Sequence, residues 1–216
     1  SSHSNVFGGG ELPYLSNIIH KEILNDNELQ SIKNNDLKDL LETAQEQYIS
    51  KISNMDSSNK VFIDKAPLNF KYIGFIKKMF PNSKVINCNR DPIDICWSNY
   101  KNFFSGSLPF SNNLNNLASY YFLYQNYIEF WKNLYPNEVY NIVYENLVEN
   151  PKDEIKNLLN FCDLKWDDNC LNHEKNPKSI KTASWVQARK PIYKSAVKSS
   201  DHFRVYLTDL IKRLEV

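Results

Sequence analysis

Arg90 is followed directly by Asp91-Pro92 and, eight residues on, by Ser98. A guanidinium offers a planar fork of donors, the entrance of a helix presents free backbone N–H groups, and a hydroxyl adds one more donor. Together these groups can hold a phosphate. Val85-Ile86 suits a buried strand, and Asp91-Pro92 reads as N-cap then N1 of the helix that follows. Asp94 falls at N3, where a carboxylate favours the helix N-terminus. Ser98 lies about two turns in, on the same general face as the helix entrance. An ordinary strand-to-helix turn, with Arg90 paired to a surface carboxylate, accounts for this run equally well when it is taken alone.

Two more polar residues stand at places where a chain could expose them. Lys65 follows Val61-Phe62-Ile63-Asp64, and Glu11 follows Gly8-Gly9-Gly10. A carboxylate within hydrogen-bond reach of a hydroxyl can act as a base, and an ammonium is a compact charge for a developing anion. The plainer readings are an acid after a flexible glycine run, a solvated lysine, and a local Asp64–Lys65 ion pair of little worth if exposed. Three of the five glycines of the chain sit at positions 8 to 10. That concentration suggests a backbone that must bend or approach a ligand closely. His3, His20, His173 and His202 share no obvious spacing and read as surface or structural.

The elements that must position these residues alternate between strand and helix. Leu37, Leu40, Leu41, Ala44, Tyr48 and Ile52 repeat at helical intervals, and Asp56-Ser57-Ser58-Asn59 breaks the pattern. Val61–Ile63 reads as a strand, Phe70–Phe80 as a helix stopped by Pro81-Asn82, and Val85–Asn87 as a second strand. Pro92 to about Phe103 is the next helix, followed by a polar loop from Ser105 to Asn116. Leu117, Tyr120, Tyr121, Tyr124, Ile128 and Trp131 mark a long helix whose aromatic stripe reads as core packing. Val139–Val143 is a strand, Lys152–Phe161 a helix, and Phe203–Leu214 a last helix after a stretch of faded periodicity. This order predicts an α/β fold, a parallel sheet flanked by helices, in a single domain spanning 1–216. Ligands of such sheets bind beyond the carboxyl ends of the strands, where Asp64-Lys65, Asn89-Arg90 and Tyr144-Glu145 all fall.

Composition narrows the function classes. With 26 Lys+Arg against 25 Asp+Glu, the net charge is +1, which offers no generic surface for nucleic acid or membrane, so any anion site must be local. No segment approaches the length of a membrane span. Cys88, Cys96, Cys162 and Cys170 form no C-x-x-C pair and read as reduced thiols, which together with the absence of a leader predicts a cytoplasmic protein. No metal-ligand cluster is visible.

In order along the chain stand Gly8-Gly9-Gly10-Glu11-Leu12, Asp64-Lys65-Ala66-Pro67, Phe80-Pro81-Asn82-Ser83-Lys84 leading into Arg90-Asp91-Pro92 and Ser98, Val143-Tyr144-Glu145-Asn146-Leu147-Val148, and Lys181-Thr182-Ala183-Ser184-Trp185-Val186-Gln187. This set resembles the sulfotransferases that use 3′-phosphoadenosine-5′-phosphosulfate (PAPS). The likeness is to the bacterial branch often fused to tetratricopeptide repeats, related to the tyrosylprotein sulfotransferases. It runs from Ser1 to about Tyr206. Each motif is weak alone; five in the family's order are specific. The resemblance implies a fold like that of the P-loop nucleotide-binding proteins, a hydroxyl-bearing acceptor, PAPS as co-substrate and no metal. By position it implies that Arg90 and Ser98 bind the 3′-phosphate and that Tyr144 lies near the adenosine. It makes Glu11 the catalytic base, Lys65 the residue that steadies the sulfuryl group and its leaving oxygen, and Ser184 a further support of the transition state and the nucleotide. Lys198 falls near a lysine that closes over the 3′-phosphate.

Two departures qualify the resemblance. The family's phosphosulfate loop and the strand before it normally precede a segment like Ser1-Ser2-His3-Ser4, and no phosphate-loop motif occurs in these 216 residues. The expectation is an N-terminally incomplete domain, a fragment with little or no activity as it stands. Two residues past the glutamate the tyrosylprotein branch has an arginine, whereas this chain has Pro13. The acceptor is therefore left open among a sugar, a lipid headgroup, a phenol and a peptide. Two competing readings remain. One is a non-catalytic nucleotide-binding or interaction module; the other, a P-loop kinase, is disfavoured by the absent Walker lysine and magnesium-binding carboxylates.

Overall fold

The computed structural model describes residues 1–24, 34–55, 61–102, 104, 108–176 and 189–214. Its elements are β1 (Val6–Gly10), α1 (Tyr14–Glu22), α2 (Asn34–Ser53), β2 (Val61–Asp64), α3 (Ile73–Met79), β3 (Val85–Asn89), α4 (Pro92–Lys101), α5 (Leu114–Leu134), β4 (Val139–Val143), α6 (Tyr144–Glu149), α7 (Pro151–Phe161) and α8 (Thr208–Leu214). The architecture is α/β, with paired strands and helices packed beside them. Two compact units divide the chain: Ser1–Val85 with Lys165–Pro191, and Ile86–Leu164 with Ile192–Val216.

In the first unit β1 and β2 run parallel, with Val6 opposite Val61, Phe7 opposite Phe62 and Gly8 opposite Ile63. β1 escapes sequence reading because three of its five residues are glycines, which carry no side chain to pack and weaken a strand. The reason for glycine is close approach within the protein. A Cβ on Gly8 would lie 2.5 Å from the Ser1 Cβ, and one on Gly9 would lie 2.5 Å from the Phe62 ring. α1 also goes beyond the elements read from sequence, although Leu15, Ile18 and Ile19 carry the helical spacing. These three, with Ile23, pack against Ala44 and Tyr48 of α2 and against Tyr72 and Met79. The segment read as one helix over Phe70–Phe80 resolves into a 3-10 stretch at Pro67–Tyr72 followed by α3. The buried Lys77 ammonium closes the end of α3 by donating to the Pro81 and Ser83 carbonyls, 2.6 Å each.

In the second unit β3 pairs with β4. Asn87 on β3 donates to the side chain of Asn141 on β4 at 2.9 Å, a polar tie that helps specify this pairing. Ile93 and Cys96 of α4, Leu117 and Ala118 of α5, and Leu207 and Leu210 form the core. The helix read over Phe203–Leu214 is instead a 3-10 turn at Asp201–Tyr206 and then α8, with buried Leu207 between them. The four cysteines form no disulfide with one another. Among the described residues, no helix is long and apolar enough to cross a membrane, and no group of three potential ligands could hold a metal.

Candidate functional site

Polar side chains collect at strand ends in both units. β1 and β2 are parallel, and after a register shift between Gly8 and Gly10 that sets Gly10 opposite Asp64 they finish at the same edge, where the Lys65 N–H donates to the Gly10 carbonyl at 2.9 Å. Gly10 has φ +81°, a left-handed turn that L side chains adopt only with strain. The chain turns there, and Glu11 and Lys65 form an ion pair. Their side chains are 45% and 54% exposed, so both ions keep water around them. Under this corner the Tyr48 hydroxyl of α2 donates to Asp64 at 2.9 Å. Burial pushes the Asp64 carboxyl above the usual aspartate range, although the Tyr48 bond pulls the other way. The Tyr48 phenol is pushed well up, first by burial and then by the Asp64 charge.

The corner at the end of β3 is drier. Asp91 caps α4, its carboxylate accepting the Asp94 N–H at 2.8 Å, with Pro92 at the first helical position as the sequence predicts. Glu145, just past β4, accepts the Asp91 N–H at 3.0 Å. The Arg90 guanidinium lies over the Tyr144 ring, 5.0 Å from its centroid. Its Nη2 donates to Asp94 at 2.9 Å, to the Ala196 carbonyl, and to Ser199 Oγ at 3.3 Å. Nε is buried without an acceptor. Asp94 is fully buried; its other oxygen accepts from the Ser200 N–H at 2.8 Å and the Ser199 hydroxyl at 3.4 Å. Burial alone would raise the Asp94 carboxyl, but the Ser200 and Arg90 bonds outweigh it and hold it below the ordinary range.

The structure thus joins Glu11 to Lys65, and Arg90 to Tyr144. It does not join Arg90 to Ser98. Ser98 is half-buried in α4, and its carbonyl accepts from the Asn102 amide at 2.6 Å. Lys198 is exposed in a left-handed conformation, φ +56°, inside the segment that contacts Arg90. Ser184 and the motif around it lie outside the described residues. The sequence does not mark Asp94, Ser199 or Ser200 as site residues. The four-residue spacing from Arg90 to Asp94 is a usable signal for a pair at a helix entrance; nothing in the sequence links either of them to residues 196–200.

A sequence model described as the Sulfotransferase family matches residues 3–168. The chain belongs to this family. A protein of Aquifex aeolicus (strain VF5), itself described as uncharacterized, is 34% identical over 99% of this sulfotransferase-family chain, which spans 29% of that relative's length. Among solved structures, the sulfotransferase domain from the Synechococcus PCC 7002 olefin synthase superimposes with a TM-score of 0.61 at 15% identity, over 99% of this chain and 86% of that one. The sulfotransferase domain from the curacin biosynthetic pathway gives 0.60 at 18%, over 96% and 90%. At these identities the likeness speaks for the fold, which is that of sulfotransferase domains.

Proposed function

We propose that this domain moves a sulfuryl group from PAPS to a hydroxyl acceptor, with Glu11 as base and Lys65 beside the leaving oxygen. The observation that carries this reading is the meeting of a carboxylate and an ammonium at the shared carboxyl edge of two parallel strands. Sulfuryl transfer resembles phosphoryl transfer, in which positioning and charge stabilisation do most of the catalysis. Glu11 takes the acceptor's proton as the acceptor oxygen bonds sulfur. Lys65 neutralises the charge that develops on the bridging oxygen as its bond to sulfur breaks, so the products are the sulfate ester and adenosine 3′,5′-bisphosphate. Because the resting pair is half exposed, water and substrate can compete for each partner.

Arg90 supports a donor with a 3′-phosphate. Its Nη2 is taken up by protein acceptors, whereas its Nε is buried without one, which leaves donor capacity for an anion. We assign Ser98 and Lys198 as further 3′-phosphate donors, Tyr144 to the adenosine, and Ser184 to the transition state. We place the domain in a reducing, cytoplasmic setting, where cysteines stay as thiols. Pro13 argues against carrying over a peptidyl-tyrosine acceptor and leaves sugar, lipid, phenol and peptide hydroxyls to be tested.

The test is transfer of labelled sulfate from PAPS to a panel of such acceptors by the full-length protein. Glu11→Ala and Lys65→Ala should abolish transfer while binding of the bisphosphate persists. Unaltered turnover in both variants would remove these roles. Nucleotide binding with no transfer to any acceptor would favour a non-catalytic module.

A further inference from the structure

Asp94 occupies a place where a charge at N3 of a helix is ordinarily solvated, yet it is wholly excluded from water. A buried carboxylate needs partners for both oxygens. One oxygen takes Arg90 Nη2, and the other takes the Ser200 N–H and the Ser199 hydroxyl. A single side chain therefore spans the guanidinium at the end of β3 and a segment more than one hundred residues later in the chain. Arg90 adds a second tie to that segment through the Ala196 carbonyl. Two consequences follow. The Nη2 corner of the guanidinium is pinned while the Tyr144 ring covers a face, so its orientation is set before any anion arrives. The segment is anchored on both sides of Lys198, whose left-handed backbone needs such anchoring to persist.

We infer that Asp94 is the positioning residue of the anion clamp, holding Arg90 in orientation and keeping the Lys198 segment beside it. This rests on the proposed reading that Arg90 binds the donor's 3′-phosphate. Asp94 itself does not touch the nucleotide. It acts through Arg90 and through residues 199–200, so its loss should be felt as lost discrimination for the 3′-phosphate.

The experiment is titration calorimetry of adenosine 3′,5′-bisphosphate and AMP against the full chain and Asp94→Asn. The asparagine keeps the size of the side chain, but its NH2 group must face a donor, either Arg90 or Ser200. Expected is a loss of about tenfold or more in bisphosphate affinity, equivalent to one charge-assisted bond, with AMP affinity unchanged. Trypsin should also cut faster after Lys194 or Lys198. Unchanged bisphosphate affinity, or an equal loss for both nucleotides, overturns the assignment. Should Asp94→Asn fail to fold, Ser199→Ala must show the same selective loss on a smaller scale, and its absence overturns the assignment as well. An unaltered chain that binds both nucleotides equally refutes the Arg90 reading itself, and the role of Asp94 falls with it.

Discussion

At the ends of β1 and β2, Glu11 meets Lys65 with both side chains about half exposed, whereas at the end of β3, Arg90 meets an Asp94 that sees no solvent. The first pair can be opened at little expense, because water stabilises either ion when its partner leaves. The second cannot, because separating it strands a charge in a dry place. The contrast matches the work assigned to each. A base and an acid-like cation must release one another to engage substrate, while a clamp gains from being rigid before the ligand comes.

The largest expected effect comes from breaking the buried pair. Arg90→Ala leaves Asp94 unpaired and should lower unfolding stability by about 3–5 kcal/mol, read by urea denaturation. A loss below about 1 kcal/mol would show that water reaches Asp94 and that the contrast is overdrawn. Next is Lys65→Ala, which should reduce turnover by about 10²–10³-fold while stability moves by less than about 1 kcal/mol. A large stability loss there would make the exposed pair structural. Smaller again is Gly9→Ala. Its Cβ would press on the Phe62 ring, and overpacking of this kind costs about 1–3 kcal/mol. A neutral result would mean that β1 and β2 can separate without harm, and that their close approach does not hold Glu11 against Lys65.

The smallest effect is in pH. The Asp94 carboxyl is held low, so the stability it contributes is present above the ordinary aspartate value of 3.8 and is lost as pH falls through its lower native value. Asp64, beneath the exposed corner, has the opposite sign. Its carboxyl is raised by burial, so its penalty appears as pH rises through a native value above 3.8. Urea midpoints measured from pH 3 to pH 7 should therefore fall less steeply in acid for Asp94→Asn than for the unaltered chain. Asp64→Asn should cost less stability at pH 7 than at pH 3. The same slope for both variants would erase the difference between the two aspartates.

Much of this was legible in the residues themselves. Asp91-Pro92 begins α4 as read, because an N-cap oxygen and a proline at N1 act locally. β2, β3 and β4 follow from short runs of β-branched and apolar residues between turn signals, and α2, α5 and α7 from apolar positions three and four apart. Glu11, Lys65, Arg90 and Tyr144 follow apolar runs or glycines in the sequence, and each lies just beyond a strand. β1 was not legible, since glycine carries no strand propensity and its use here reflects atoms of Ser1 and Phe62 that are distant in sequence. Nor could the sequence distinguish the two ion pairs. Charge and spacing are local properties, so residue order alone determined which side chains stand at strand ends and which helix begins beside them. Burial depends on what the rest of the chain lays over a group. Only the tertiary structure, by folding residues 196–200 onto the entrance of α4, decided that Asp94 would be dry and Arg90 pinned, and left Glu11 and Lys65 in water.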